Sequence, residues 1–255
     1  SCGGSALPSD PAIEITDLHV TLGGAPRVAG FSLNVAEGQF HGLLGPNGAG
    51  KTTVLRSLYR AQRIDAGELR IAGRAIHDWP QSDWAGTVGA LVQEGGTFQG
   101  LSVRDVIEIG MMGLPLSGPE RAARIDAALA QAGLSDRSDT EVARISGGER
   151  QRTHIAQLLA RGPQVFLLDE PSNHLDLCYQ LILLDEIKRR RATVLATFHD
   201  LTLAARYCDL VTLMKDGRAH ATGRPADVLT RDNIRSVFRV DGWLENGAMR
   251  IEAAI

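Results

Sequence analysis

The run Gly45-Pro46-Asn47-Gly48-Ala49-Gly50-Lys51-Thr52 has the composition of a phosphate cradle. Its glycines let the backbone fold tightly enough for several N–H groups to point at one anion. Lys51 brings a positive charge suited to the β- and γ-phosphates of a nucleotide, and the Thr52 hydroxyl, with Thr53 next in the same turn, brings an oxygen ligand for magnesium. A second chemical pair is Asp169-Glu170, which ends the apolar run Val165-Phe166-Leu167-Leu168. Adjacent carboxylates at a strand end suit two jobs, Asp169 holding the metal and Glu170 acting as general base on a water. A third stretch, Ser146-Gly147-Gly148-Glu149, opens a helical pattern with Ile155, Leu158 and Leu159 on one side and reads as a second anion site. A plain Ser cap with a Glu149 capping box also explains Ser146 and Glu149, but not the two consecutive glycines. One chain holds one phosphate loop, so the second helix terminus needs a phosphate from elsewhere.

These groups need a scaffold of strands that end in loops. Residues 13–22, 31–35 and 40–44 have strand character, and the phosphate loop follows the third. Val54, Leu55, Leu58 and Tyr59 then recur at helical spacing, which is the strand-loop-helix setting the motif demands. Strands are also expected over 68–72 and 88–92, and buried parallel strands over 165–168 and 193–197. Residues 209–215 and 218–222 flank Asp216-Gly217, a hairpin signal, and residues 225–240 look helical. Between about 101 and 162 the pattern is helical, with Val103, Val106, Ile107 and Met111 on one face and Ile125, Leu129 and Ala132 on another. Met111 and Met112 read as core filler. The fold class is therefore α/β with an inserted helical segment. Among the histidines, His199 follows the strand 193–197 at the sheet end expected for Asp169, whereas His77, His154 and His220 read as structural or surface residues.

Size and composition exclude other classes. At 255 residues the chain builds one core with an insertion, not two enzymes. Hydrophobic residues at 44% against 22% charged argue for a folded chain, not a disordered one. A net charge of -3 offers no footprint for nucleic acid. The basic cluster Lys188-Arg189-Arg190-Arg191 ends a helix, where cations complement the dipole. Cys2, Cys178 and Cys208 are too few and scattered for a disulfide framework or a zinc site, so a reducing cytoplasm is expected. No apolar run approaches the ~20 residues that span a bilayer, and no signal-peptide pattern is present. Residues 1–12 are expected to be a disordered or appended tail.

Together, Walker A at residues 45–52, the Ser-Gly-Gly signature, Walker B with Glu170, and His199 resemble an ABC transporter ATPase over nearly the whole chain after Ile13. The resemblance implies a P-loop NTPase cassette over residues 13–240, with a RecA-like core, an antiparallel β subdomain, the helical subdomain and an extension at 241–255. It implies a head-to-tail dimer, with ATP and magnesium sandwiched between Walker A of one copy and Ser146, Gly147, Gly148 and Glu149 of the other. By the same resemblance Gln93 is the Q-loop glutamine that touches metal and water, Ser172-Asn173-His174-Leu175-Asp176 is the D-loop, and His199 is the switch histidine. The chain departs from the pattern at Leu22, where an aromatic residue usually stacks on adenine, and at Ile145, a small change from Leu. Asn173-His174-Leu175-Asp176, Gly148-Glu149-Arg150-Gln151-Arg152, His199-Asp200-Leu201 and the tail at 223–230 resemble the ATPases of iron-siderophore, haem and cobalamin importers. That pattern implies two copies beneath two copies of a permease at the cytoplasmic face of the membrane, fed by a substrate-binding protein. The alternatives are a soluble ABC ATPase acting on ribosomes, which carries two cassettes per chain, and the ATPase of a different ABC importer or exporter.

Overall fold

The computed structural model describes residues 11–91, 99–171 and 176–255. They form two compact units, one from the chain up to Trp79 and from Ala192 onward, the other from Pro80 to Arg191. The second unit is wider than the helical stretch expected over 101–162. In chain order the first unit begins with β1 (Ile13–Leu22), β2 (Ala25–Val35), β3 (Phe40–Leu44), α1 (Lys51–Leu58), β4 (Ala66–Ile71) and β5 (Arg74–Ala75). The second holds α2 (Gln81–Thr87), β6 (Val88–Leu91), α3 (Val103–Gly110), α4 (Gly118–Gln131), α5 (Gly147–Arg161), β7 (Val165–Leu168) and α6 (Leu177–Arg189). The chain then completes the first unit with β8 (Thr193–Thr197), α7 (Leu201–Tyr207), β9 (Leu210–Lys215), β10 (Arg218–Gly223), α8 (Pro225–Val228), α9 (Arg231–Phe238), β11 (Val240–Glu245) and β12 (Ala248–Ala254).

In the first unit, β2-β1-β4-β5 form an antiparallel sheet, and β3 lies between the parallel neighbours β9 and β8. All five residues of β3 are buried, the pattern of a strand covered on both faces. Two hairpins turn through residue pairs with positive φ at both central positions, Gly23-Gly24 and Asp216-Gly217, which match the twist of the strands they join. A third pair, Asn246-Gly247, does the same between β11 and β12. This last hairpin occupies most of the stretch expected as an extension. It is held by the Arg231 guanidinium over the Trp243 ring at 4.1 Å and by Asp241 between Arg231 and Arg235, each at 3.1 Å.

In the second unit β6 and β7 pair in parallel, Leu91 beside Leu168. The helices share a core of Val103, Val106, Ile107, Met111, Ile125, Leu129 and Ala156. Met111 fills that core as expected, but Met112 is 66% exposed, because it falls just past the buried face of α3. Three helices begin with one device: Ser102, Ser117 and Ser146 form capping boxes with Asp105, Glu120 and Glu149. Each such cap contributes about 1 kcal/mol.

Candidate functional site

The phosphate loop is built from the end of β3 to the first turn of α1. Gly45 has φ +153, and a Cβ there would sit 2.4 Å from the Met214 carbonyl; Gly50 has φ +102 and would strike the Arg27 carbonyl at 2.6 Å. Only glycine fits either position. Gly50 is also the N-cap of α1 and supplies no side-chain acceptor, so the first amides of the helix keep their donors for an anion. Lys51 is buried, and its ammonium donates to the carbonyls of Gly45 at 2.7 Å and Pro46 at 3.2 Å, which holds the charge directly over the loop. The tip of the β9-β10 hairpin braces the loop from behind. Gly217 N–H donates to Ala49 O at 3.2 Å, and Ala29 N–H donates to Gly217 O at 3.0 Å. Sequence reasoning recognised this hairpin but missed its second task, for which Asp216-Gly217 alone gave no signal.

His199 lies in the same unit. β3 and β8 run parallel with Leu43 beside Thr197, so His199 leaves β8 at the strand end from which the phosphate loop also leaves. The residue before it, Phe198, is buried and donates its N–H to Leu43 O at 3.2 Å, while the residue after it, Asp200, caps α7 through Thr202 N and Leu203 N. His199 itself is exposed between these two anchors. Leu22 ends β1, paired with Ala25 across the turn, and is 37% exposed. One residue that sequence reasoning passed over is His41, wholly buried in β3, with Nε2 2.8 Å from the Thr212 hydroxyl. Its position inside the apolar run 40–44 concealed it.

In the second unit, Asp169 is buried at the end of β7, its N–H donating to Leu91 O at 3.0 Å. Glu170 follows with φ +50, a left-handed conformation that costs a non-glycine residue about 1–3 kcal/mol. The chain bends at Asp169-Glu170, immediately before buried Pro171. Thr52 in the first unit and Asp169 in the second are each a hard oxygen donor of the kind magnesium takes. Among the described residues no group of three or more His, Cys, Asp and Glu assembles a metal site by itself.

The start of α5 carries the plainer of the two expectations for this stretch, a cap by Ser146. The capping box forms: Ser146 N–H donates to the Glu149 carboxylate at 2.8 Å, and Glu149 N–H donates to the Ser146 hydroxyl at 3.2 Å. These bonds from Ser146, aided by Arg137 and Arg152, hold the Glu149 carboxyl below its ordinary pKa. The box satisfies the amides of Ser146 and Glu149 and leaves those of Gly147 and Gly148 without acceptors inside the helix. Gly147 is not needed for the fold: a Cβ there would meet only Arg150 Nη2, at 3.8 Å. Of the remaining site residues, Asp176 caps α6 by accepting from Tyr179 N at 3.0 Å, whereas Gln93 and Ser172, Asn173, His174 and Leu175 lie outside the described residues.

The family model for ABC transporters matches residues 28–173, more than half of the chain. The chain is 37% identical over 239 residues to the hemin import ATP-binding protein HmuV of Pseudomonas entomophila, covering 90% of this chain and 93% of that protein. It is 34% identical over 232 residues to the cobalamin import ATP-binding protein BtuD of Halobacterium salinarum, covering 89% of this chain and 58% of that protein. Among solved structures, the ATP-binding subunit of an ABC transporter superposes with a TM-score of 0.79 at 24% identity, covering 85% of this chain and 91% of that one. An ATP-binding cassette solved as a dimer in a post-hydrolysis state with ADP and Pi superposes with a TM-score of 0.75 at 23% identity, covering 84% of this chain and 98% of that one.

Proposed function

Since the chain belongs to the ABC transporter family and is an ATPase of the kind coupled to transport, we propose that it powers import of an iron-siderophore, haem or cobalamin-type substrate through a separate membrane permease. Its likeness to the hemin and cobalamin import proteins supports that substrate class. Among the described residues no helix is long and apolar enough to cross a membrane, so the proposed place of work is the cytoplasmic face, docked on permease subunits. A substrate-binding protein delivers the cargo, and the permease and that protein read it.

The observation that carries the reading is the pair of incomplete anion sites on one chain. The loop at 45–52 offers the amides of α1 and the Lys51 ammonium. The start of α5 offers the amides of Gly147 and Gly148 beside a glycine the fold does not require. A head-to-tail dimer completes both, with each ATP held by residues 45–53 of one copy and residues 146–149 of the other. Gln93 and Asp176 are proposed to line the same nucleotide.

In this mechanism Lys51 and the amides of residues 48–52 bind the β- and γ-phosphates. Thr52, Asp169 and Gln93 would hold magnesium, which would supply positive charge against the phosphates. Glu170 orients and deprotonates the attacking water, and His199 contacts the γ-phosphate. The left-handed backbone at Glu170 sets the point from which its side chain leaves the end of β7. Hydrolysis removes the phosphate that bridges two copies, so they part and the permease resets. The test is co-purification of the chain with a polytopic permease, and stimulation of its ATPase in proteoliposomes by a binding protein loaded with siderophore, haem or cobalamin. Co-sedimentation with ribosomes in place of permease binding would overturn it.

A further inference from the structure

The second unit contains a cleft that the nucleotide chemistry does not use. It has a volume of about 300 Å³ and lies among α4, α5 and α6. We propose that it binds a medium-chain aliphatic carboxylate, with the chain between the three helices and the carboxylate on the Arg152 guanidinium. Nothing in this binding depends on ATP at residues 45–52.

Two contacts between α5 and α6 bracket the cleft. In one, the guanidinium of Arg152 on α5 lies over the ring of Tyr179 on α6 at 4.1 Å. The Tyr179 hydroxyl also reaches the place a Cβ would take on Gly133, just past α4, where φ is +62. In the other, Arg190 Nη1 donates to the Leu159 carbonyl at 2.7 Å and ties α6 to α5 a second time. Between these ties the apolar walls are Ala128 and Ala132 at the end of α4, Ile155, Ala156 and Leu159 on α5, and Leu183 on α6. The short side chains of the three alanines leave the space open.

The charges around the cleft select the ligand's head. Arg152 is half-buried, and its Nε has no acceptor among the described residues. The carboxylate that feels its charge, Glu149, is bonded to Ser146 and lies 3.7 Å from Arg137. Arg189, the other arginine in the lining, pairs with Glu186, whose second oxygen takes Arg190 at 2.8 Å. Asp185, the remaining carboxylate there, is exposed and has a partner. An arriving anion thus finds Arg152 to bind, and hydrogen bonds between a guanidinium and a carboxylate are among the strong ones.

The walls select the tail. The ring in the lining, Tyr179, already has Arg152 over it, so the contact on offer is aliphatic. From Arg152 to Leu159 the cleft follows α5 for about 10 Å, at 1.5 Å per residue. Beyond Leu159 it meets a second space, of about 320 Å³, lined by Arg124 and Arg190, where a longer apolar chain would lose its apolar walls. Octanoate, extended, has the length that fits.

The test titrates the full chain calorimetrically, without nucleotide, with octanoate, octan-1-ol and butanoate. Octanoate should bind at one site. Octan-1-ol, which keeps the chain and loses the charge, should bind about ten-fold more weakly, the weight of a hydrogen bond to a charged group. Butanoate, which buries four fewer methylenes, should bind at least about 100-fold more weakly. Arg152→Gln should lower octanoate to the level of octan-1-ol and leave octan-1-ol unchanged, whereas Arg152→Lys, which keeps the charge, should retain the preference. Ala132→Leu, which fills the cleft, should abolish binding of both with no fall in the urea midpoint. Absence of saturable octanoate binding, equal affinity for octanoate and octan-1-ol, or binding that survives Ala132→Leu would each overturn the proposal. If a variant unfolds, the wild-type chain decides: octanoate should shift the methyl resonances of Ala128, Ala132 and Ala156, and shifts confined to other residues would overturn the site.

Discussion

Replacing His41 by leucine tests how the strand that leads into the phosphate loop is held. His41 is wholly buried in β3, its Nε2 bonded to Thr212 and its Nδ1 without a partner among the described residues. Burial pushes its pKa down from 6.5 to about 4. The folded chain therefore resists a proton that the unfolded chain accepts. Stability from this group is complete above pH 6.5, falls as the pH drops from 6.5 towards 4, and levels off below about 4, where folded His41 also titrates. At about 1.36 kcal/mol per pH unit the whole loss approaches ~3.4 kcal/mol, and between pH 7.5 and 5 it amounts to ~2 kcal/mol. Other groups titrate over the same range, so the informative quantity is the difference between wild type and His41→Leu. Leucine fills a similar volume without a proton, and Thr212 keeps Thr222 as a partner at 2.9 Å. Urea unfolding at pH 7.5, 6.5, 5.5 and 5 should show the variant gaining on the wild type by ~2 kcal/mol across the series. Parallel stability curves would refute the reasoning, since they would mean that His41 takes up its proton without leaving the core.

Other expectations concern the site. Glu170→Gln should lower ATP hydrolysis by about two to four powers of ten while ATP affinity stays the same, checked by phosphate release and nucleotide titration; near-normal turnover removes Glu170 as the base. Gly50→Ala forces a Cβ against the Arg27 carbonyl at φ +102, so the loop should lose ATP binding and the fold about 2 kcal/mol or more; an unchanged titration and urea midpoint would show that the loop is not held as described. Ser146→Ala removes the hydroxyl of the α5 cap and should cost about 1 kcal/mol in urea unfolding, with no change if the cap carries no weight.

Much of the site was legible because its chemistry and its backbone geometry use the same residues. Gly45, Gly50 and Lys51 announce both a phosphate ligand and a strand-to-helix turn, and the structure has β3 and α1 on either side. At Ser146 two readings competed in the sequence, and the structure shows the capping box, which is compatible with the other because it bonds the amides of Ser146 and Glu149 and not those of the two glycines. What stayed hidden lacked a periodic signal. The first half of β2, around Pro26 and Arg27, is exposed and shows no alternation, so only 31–35 read as strand. The β11-β12 hairpin was overlooked although Asn246-Gly247 is a strong turn signal, because β12 is almost wholly exposed and has no apolar face. His41 was lost inside an apolar run, where burial of a polar group can be seen only once its Thr212 partner is brought across from β9.

The central claim is that each ATP is completed by two copies of this chain, and complementation between variants tests it most directly. Lys51→Ala disables the phosphate loop and leaves α5 intact. Gly147→Arg blocks the start of α5 from outside, at a position where the fold itself has room for a Cβ. Each variant alone should be inactive. Mixed, they form dimers in which the intact loop of one copy faces the intact α5 of the other, and ATP hydrolysis should reappear. Activity in Gly147→Arg alone, or none in the mixture when mixed dimers are shown to form, would contradict the account.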